Sequence, residues 1–278
     1  MPSPTEITVA QLSRLVGTPD APVILDVRIN EDFDADPRIL PASRRHDFHD
    51  AADWASRYSG QKVVVSCQKG LKLSQGAAAW LRHAGAEAFS LEGGFEAWRA
   101  AGELLVTIQI LPPRDALGRT IWVTRARPKI DRIACPWLIR RFIDPHAVFL
   151  FVAPAEVPAV ADRFGATPFD IDGIFWSHRG EAAAPDHTCT FDTMIAEFGL
   201  VSPALNRLAT IVRAADIARP DLAPQAAGLL AASLGLSRMF RDDLAQLDAA
   251  MVLYDAFYRW CRDATDEAHT WPATGGKA

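Results

Sequence analysis

Val63-Val64-Val65-Ser66-Cys67-Gln68-Lys69-Gly70-Leu71-Lys72-Leu73-Ser74-Gln75-Gly76-Ala77-Ala78-Ala79-Trp80-Leu81 decides how the first third of the chain is read. A β-branched apolar run ends on a cysteine; a short loop then carries one glycine and two lysines into an Ala-rich segment. Strand, loop and helix in that order gather backbone N–H groups and a helix N-terminus around one point. A thiol there lies at the positive end of the helix dipole, about half a unit charge. Lys69 and Lys72 add to that field if they fold inward. Both effects favour thiolate over thiol and make Cys67 a candidate catalytic nucleophile. The bland alternative is a buried cysteine at a strand end.

Working outward, Thr8–Val16 places Val9, Leu12 and Val16 on one helical face, with Thr8 as N-cap. Val23–Arg28 reads as a buried strand, Ala51–Arg57 as a helix, and Ala88–Leu91 as a further strand. Glu92-Gly93-Gly94 punctuates the chain before a helix over Phe95–Ala101. Strands alternating with helices give an α/β domain, a parallel sheet with flanking helices. Ligands bind beyond the strand C-termini of such sheets, where Cys67 lies. Asp26 and Arg28 read as a structural ion pair, and Trp80 and Trp98 as core.

Asp26-Val27-Arg28 after a strand, Cys67-x-x-Gly70 opening a six-residue loop, and Leu91-Glu92-Gly93-Gly94-Phe95-Glu96-Ala97-Trp98 together resemble the rhodanese (single-domain sulfurtransferase) family. The resemblance covers residues 1–108. It implies a persulfide on Cys67, cradled by Gln68, Lys69, Gly70, Leu71 and Lys72, and passed from a small-molecule sulfur donor to a thiol acceptor. Lys72 stands where the family commonly has arginine, keeping the charge but losing the bidentate fork that suits sulfonate-like anions.

Residues 109–118, with Pro112-Pro113 and Gly118, read as a linker. Beyond it, residues 119–265 read as a mixed α/β domain rich in helix, followed by a disordered tail over 266–278. Strands are expected at Thr120–Thr124, Val148–Val152 and Thr167–Ile171; helices at Glu156–Phe164, Ala204–Ala218, Pro224–Met239 and Asp242–Arg262. Pro136 leaves two drawings open. A helix starting at Pro136 has Cys135 as its N-cap, whereas a kinked helix from Asp131 stacks Asp131 and Cys135 at i, i+4.

Two polar features stand out. Between Arg119 and Arg141 there are seven basic residues against one acid. That run reads as a solvated face or as an anion site, with Arg125, Lys129, Arg132 and Arg140 as candidates and nucleic acid a weaker option. Further on, His178, His187, Cys189 and Asp192 fall within 15 residues. They are suitable donor types for a transition metal such as zinc, iron or manganese. For His187 the alternative is a surface loop, and for Asp192 a helix's first turn capped by Thr190.

The stretch Trp122–Pro145, then Phe169-Asp170, Ser177-His178, Cys189-Thr190-Phe191-Asp192 and Ile211–Asp216, resembles the C-terminal domain of the chromate resistance protein ChrB. The resemblance implies a link to chromate resistance, an oxyanion such as chromate as ligand, and in some members operon regulation. It also implies a metal site completed by Asp216, although arginine stands at Arg213, where a histidine is common. Longer relatives carry an N-terminal regulatory region where this chain carries its rhodanese-like half.

The composition fits two globular domains: 278 residues, 49% hydrophobic and 23% charged, with a formal charge of −5 that argues against a dedicated DNA binder. The four cysteines include no CxxC pair, so reduced thiols in a cytoplasm are expected. No apolar run reaches the ~18 residues of a membrane span, and Met1–Glu6 shows no basic, apolar leader. Two function classes follow. One is a sulfurtransferase acting through Cys67, coupled to an oxyanion- or metal-binding domain. The other is a non-enzymatic chromate sensor or transcriptional regulator; a metal-dependent enzyme centred on His178 is a third, weaker option.

Overall fold

The computed structural model describes residues 3–181, 184 and 187–267. Most of the tail expected beyond residue 265 lies outside the described residues. The first half runs β1 (Glu6–Ile7), α1 (Val9–Ser13), β2 (Val23–Asp26), α2 (Asn30–Ala35), β3 (Arg38–Ile39), β4 (Arg44–Arg45), α3 (Ala51–Trp54), β5 (Lys62–Ser66), α4 (Lys72–His83), β6 (Glu87–Leu91), α5 (Gly94–Ala100) and β7 (Val106–Thr107). Five of these strands form one parallel sheet in the order β1-β6-β5-β2-β4, with Val23–Asp26 in register with Val63–Ser66. Burial on both faces explains the unbroken Val63-Val64-Val65 run, since all three side chains are fully covered. β3 instead pairs antiparallel with β7, at the exit of the first half.

Thr8 caps α1 as expected, accepting from the Gln11 amide. The helix expected over Ala51–Arg57 is α-helical only to Trp54 and continues as a 3-10 turn over Ala55–Tyr58. Asp26 and Arg28 form a buried pair at 2.7 Å, and the same guanidinium donates to the carbonyls of Asp36 and Arg38. Trp98 is core, whereas Trp80, read as core, lies 48% exposed on the outer side of α4.

The second half continues β8 (Ile121–Arg125), α6 (Ile130–Leu138), β9 (Val148–Val152), α7 (Val157–Phe164), β10 (Thr167–Pro168), α8 (Thr190–Phe198), α9 (Pro203–Asp216), α10 (Ala226–Met239) and α11 (Asp243–Asp263). Its sheet is a parallel ribbon, β10-β8-β9, and helices supply most of the rest. α6 starts at Ile130 and runs through Pro136, so Cys135 is not its N-cap. Proline has no N–H for the carbonyl four residues back, and the chain leaves α6 through a π turn over Ile139–Ile143. The strand expected over Thr167–Ile171 stops at Pro168 because Asp170 takes a left-handed φ of 54°.

One apolar cluster runs through both halves, joining Leu12, Phe95 and Trp98 to Trp122, Trp137, Phe142 and Tyr254. Polar contacts reinforce it. The Ala42 amide donates to the Phe142 carbonyl at 2.6 Å, and the fully buried Asp144 carboxylate faces Arg44 at 3.1 Å and Arg114 at 3.3 Å. The same carboxylate accepts from the Thr120 amide and hydroxyl. Burial pushes the Asp144 carboxyl up, but those donors together with Arg114 outweigh it and hold it below the usual range.

Asp144 therefore ties the halves together. Asp144→Ala leaves the part-buried Arg44 guanidinium and the Thr120 amide without their acceptor and Arg114 without its counter-charge, and is expected to lower unfolding stability by about 3 kcal/mol. Urea denaturation measures it; a loss below ~0.5 kcal/mol, the range of neutral surface changes, would contradict this role.

Candidate functional site

Cys67 directly follows the C-terminal end of β5, and the loop it opens leads into α4 at Lys72. The loop's shape is set by backbone contact with the turn before α5. A Cβ on Gly70 would come within 2.3 Å of the Leu91 carbonyl oxygen, and one on Gly94 within 2.2 Å of the Cys67 carbonyl oxygen. Both glycines also have positive φ. The Phe95 and Glu96 amides donate to the Cys67 and Gln68 carbonyls, fastening the loop's start. Among the described residues, the amides of Gln68, Lys69, Gly70 and Leu71 donate to no protein acceptor. Such a run of free N–H groups is what an anion-holding loop requires. Cys67 itself is 4% exposed, packs in the apolar cluster with Val27 and Val65, and has Sγ 3.2 Å from the Ser74 hydroxyl. Lys69, Leu71 and Lys72 are exposed, while the Gln68 side-chain amide reaches Glu96 at 3.2 Å.

A second constellation lies in the other half. His178 Nε2 is 3.5 Å from Asp131 Oδ2, 3.4 Å from Asp170 Oδ1 and 3.3 Å from Asp216 Oδ2. The carboxylates reach it from three elements: Asp131 from α6, Asp216 from the end of α9, and Asp170 from the left-handed residue just past β10. Asp131 Oδ2 also accepts the Thr190 and Phe191 amides at the N-terminus of α8, and Asp170 Oδ1 accepts the Thr190 hydroxyl. Asp131 Oδ1 is buried with no hydrogen-bond partner. Burial, then Asp216, push the Asp131 carboxyl up to about 7, whereas hydrogen bonding to Asp131, Asp170 and Asp216 raises His178 to about 12. For Asp170 burial acts upward but is outweighed by His178 and Arg132, leaving it lowered.

Three carboxylates and one imidazole are a donor set for a divalent transition metal. Asp131, Asp170 and His178 each offer a donor atom within 4.8 Å of the others. One oxygen of each of Asp131, Asp170 and Asp216 lies 3.3–3.5 Å from Nε2. On the far side of the ring, His178 Nδ1 meets His187 Nε2 at 3.2 Å.

Of the metal-ligand candidates from the sequence, the structure brings His178 and Asp216 together, sets His187 against the far nitrogen of His178, and leaves Cys189 and Asp192 out. Cys189 is the fully buried N-cap of α8, and burial, then Asp131, push its thiol well above the usual range. Asp192 accepts the Cys189 amide and pairs with Arg213 at 2.8 Å. The cap is thus Cys189, not Thr190, whose hydroxyl is committed to Asp170. Among the anion candidates, Arg125 and Arg132 flank Asp170 at 3.2 and 3.3 Å, Arg140 pairs with Asp248, and Lys129 is exposed. Asp131 and Asp170 are not among the ligands that sequence reasoning singles out. An acid amid Ile130, Ile133, Ala134 and Trp137 is the signal available for Asp131.

The chain matches the family described as "ChrB, C-terminal domain" over residues 122–261, half of its length, and the rhodanese-like domain over residues 8–101. Protein ChrB of Cupriavidus metallidurans is 36% identical over 152 residues, 53% of this chain and 43% of that protein, so the match spans less than half of that relative. Among solved structures, a rhodanese-related protein from Thermoplasma volcanium is 24% identical, covering 36% of this chain and 96% of that one, with a TM-score of 0.32. A rhodanese homolog from the extremely thermophilic bacterium Thermus thermophilus is 28% identical, covering 33% and 98%, with a TM-score of 0.28.

The charge cluster predicts a pH dependence for the metal-free protein. Folding raises the His178 value, so its stabilisation is complete below the unfolded value near 6.5 and is lost as pH climbs toward 12. Between pH 7 and 9 in chelator, wild type is expected to lose up to about 1 kcal/mol per pH unit more than His178→Gln. Parallel stability curves for the two proteins would contradict the assignment.

Proposed function

The chain belongs to the family defined by the ChrB C-terminal domain, with a rhodanese-like domain ahead of it, and from that premise we propose that it is a sulfurtransferase whose carrier is Cys67. The Cys67 thiolate attacks the terminal sulfane sulfur of a donor. An S–S bond forms at Cys67 Sγ while the donor's bond to that sulfur breaks, the electron pair leaving with the donor as sulfite or thiolate. An acceptor thiolate then attacks the outer sulfur, carrying it away and restoring the Cys67 thiolate. The observation that supports this reading is the run of free amides from Gln68 to Leu71 beside the cysteine, fixed by the Gly70–Gly94 contact. The exposed Lys69 and Lys72 supply positive charge for an anionic donor. The setting is a reducing cytoplasm and the process chromate resistance.

A second function is proposed for the family domain. Asp131, Asp170 and His178, with Asp216 beside them, would hold one divalent transition metal, the unpartnered Asp131 Oδ1 being the favouring observation. The bound ion would supply a Lewis acid and an anchor for an oxyanion such as chromate, with Arg125 and Arg132 alongside. Binding requires His178 to give up its proton, so affinity should rise with pH.

Two measurements test these readings. Incubation with thiosulfate or a persulfide donor should add about 32 Da, one sulfur, to wild type and nothing to Cys67→Ala. Equal loading of both proteins, or of neither, would overturn the carrier assignment. Elemental analysis should find one Mn, Fe or Zn per chain, with affinity at least 100-fold lower in Asp131→Asn/His178→Gln. Unchanged metal content in that variant would overturn the metal site.

A further inference from the structure

A cleft of about 1140 Å³ lies between the two halves, away from both sites above: no residue of the 67–72 loop or of the His178 cluster lines it. Six arginines do. Arg44, Arg45 and Arg57 come from the rhodanese-like half, Arg114 from the connecting segment, and Arg140 and Arg141 from the π turn after α6. Among the described residues, no aspartate or glutamate lines it.

The carboxylates nearby compensate this charge only in part. Arg44 and Arg114 share Asp144, Arg140 pairs with Asp248, and Arg141 pairs with Asp255. Among the described residues, Arg45 and Arg57 have no carboxylate in salt-bridge range. Arg45 donates to the Arg28 carbonyl and to Asn30, and its guanidinium lies over the Phe33 ring. Three aspartates thus serve four of the six arginines. A second observation belongs to the same lining: Ser43, 1% exposed, has a buried hydroxyl with no partner. His46, another lining residue, feels the field: burial, then Arg57 and Arg44, push its pKa down.

The size of the cleft sets the ligand. A tetrahedral oxyanion fills a small fraction of 1140 Å³, a volume on the scale of pockets for whole organic ligands. Apolar wall is present too, from Val23, Ile39, Ile108 and Leu111. Guanidinium forks match phosphoryl oxygens two at a time, and arginines on opposite walls can take separate phosphoryl groups. We propose that this cleft binds an organic anion of nucleotide size bearing two or more phosphoryl groups, held between the two halves. This site is independent of the persulfide and metal readings.

The test is calorimetric titration of the full chain with ATP, ADP, inorganic pyrophosphate and a short DNA duplex at low salt. ATP and ADP are expected to bind with micromolar affinity and more tightly than pyrophosphate. Arg57→Ala should weaken ATP roughly tenfold, and Arg57→Ala/Arg140→Ala roughly 100-fold, with unchanged melting temperature in the absence of ligand. Arg57 has no carboxylate partner among the described residues and Asp248 is 68% exposed, so neither change buries an unpaired charge. Should the variants melt lower, loss of ATP-induced stabilisation in Arg57→Gln provides the same reading. No binding of either nucleotide, equal binding by wild type and variants, pyrophosphate as tight as ATP, or DNA tighter than ATP would each overturn the proposal.

Discussion

Two stretches of backbone meet too closely for either to carry a side chain: the loop from Cys67 to Leu71 and the turn Glu92–Phe95. Gly70 and Gly94 each stand where a Cβ would lie within 2.4 Å of main-chain atoms across the gap. This contact holds the loop off any hydrogen-bonded path, so its amides stay free while its carbonyls at Cys67 and Gln68 are engaged by α5. The constraint passes from a sequence requirement, glycine at two positions, to a chemical result: unclaimed donors beside a cysteine. The proposed carrier sulfur lies against those donors, 3.2 Å from the Ser74 hydroxyl.

In the family domain the organising interaction is the Asp131 carboxylate at the start of α8. A carboxylate with 1% side-chain exposure is costly to charge, and the Thr190 and Phe191 amides offset that cost only at Oδ2. Oδ1 keeps no partner, and three carboxylates gather on one imidazole nitrogen. Without metal the arrangement persists because the His178 imidazolium neutralises part of the charge.

The sheet and the Cys67 loop were legible because the information is local. Val63-Val64-Val65 is a buried parallel strand, and glycine at 70, 93 and 94 marks loop and turn within thirty residues. The cluster around His178 was legible only in part. Its members stand at 131, 170, 178 and 216, joined by α6, α8 and α9 packing rather than by spacing. Local crowding near His178 drew Cys189 and Asp192 into the candidate set, but α8 begins between them and commits both to its own first turn. The two drawings left open at Pro136 resolve to a helix from Ile130, since proline's lost hydrogen bond is tolerated where apolar packing covers α6. The arginine cleft escaped for the same reason as the cluster. Arg140 and Arg141 were visible in a basic run, while Arg44, Arg45 and Arg57 join them only through the packing of one half on the other.

The account rests on the loop amides holding a charged sulfur at Cys67. The most direct measurement is the amide NMR spectrum of the 15N-labelled protein before and after loading with a persulfide donor. The account predicts downfield proton shifts concentrated at Gln68, Lys69, Gly70 and Leu71, as those N–H groups take up the new sulfur anion. Loading that leaves these four amides unmoved, or shifts resonances elsewhere in the chain instead, would contradict it.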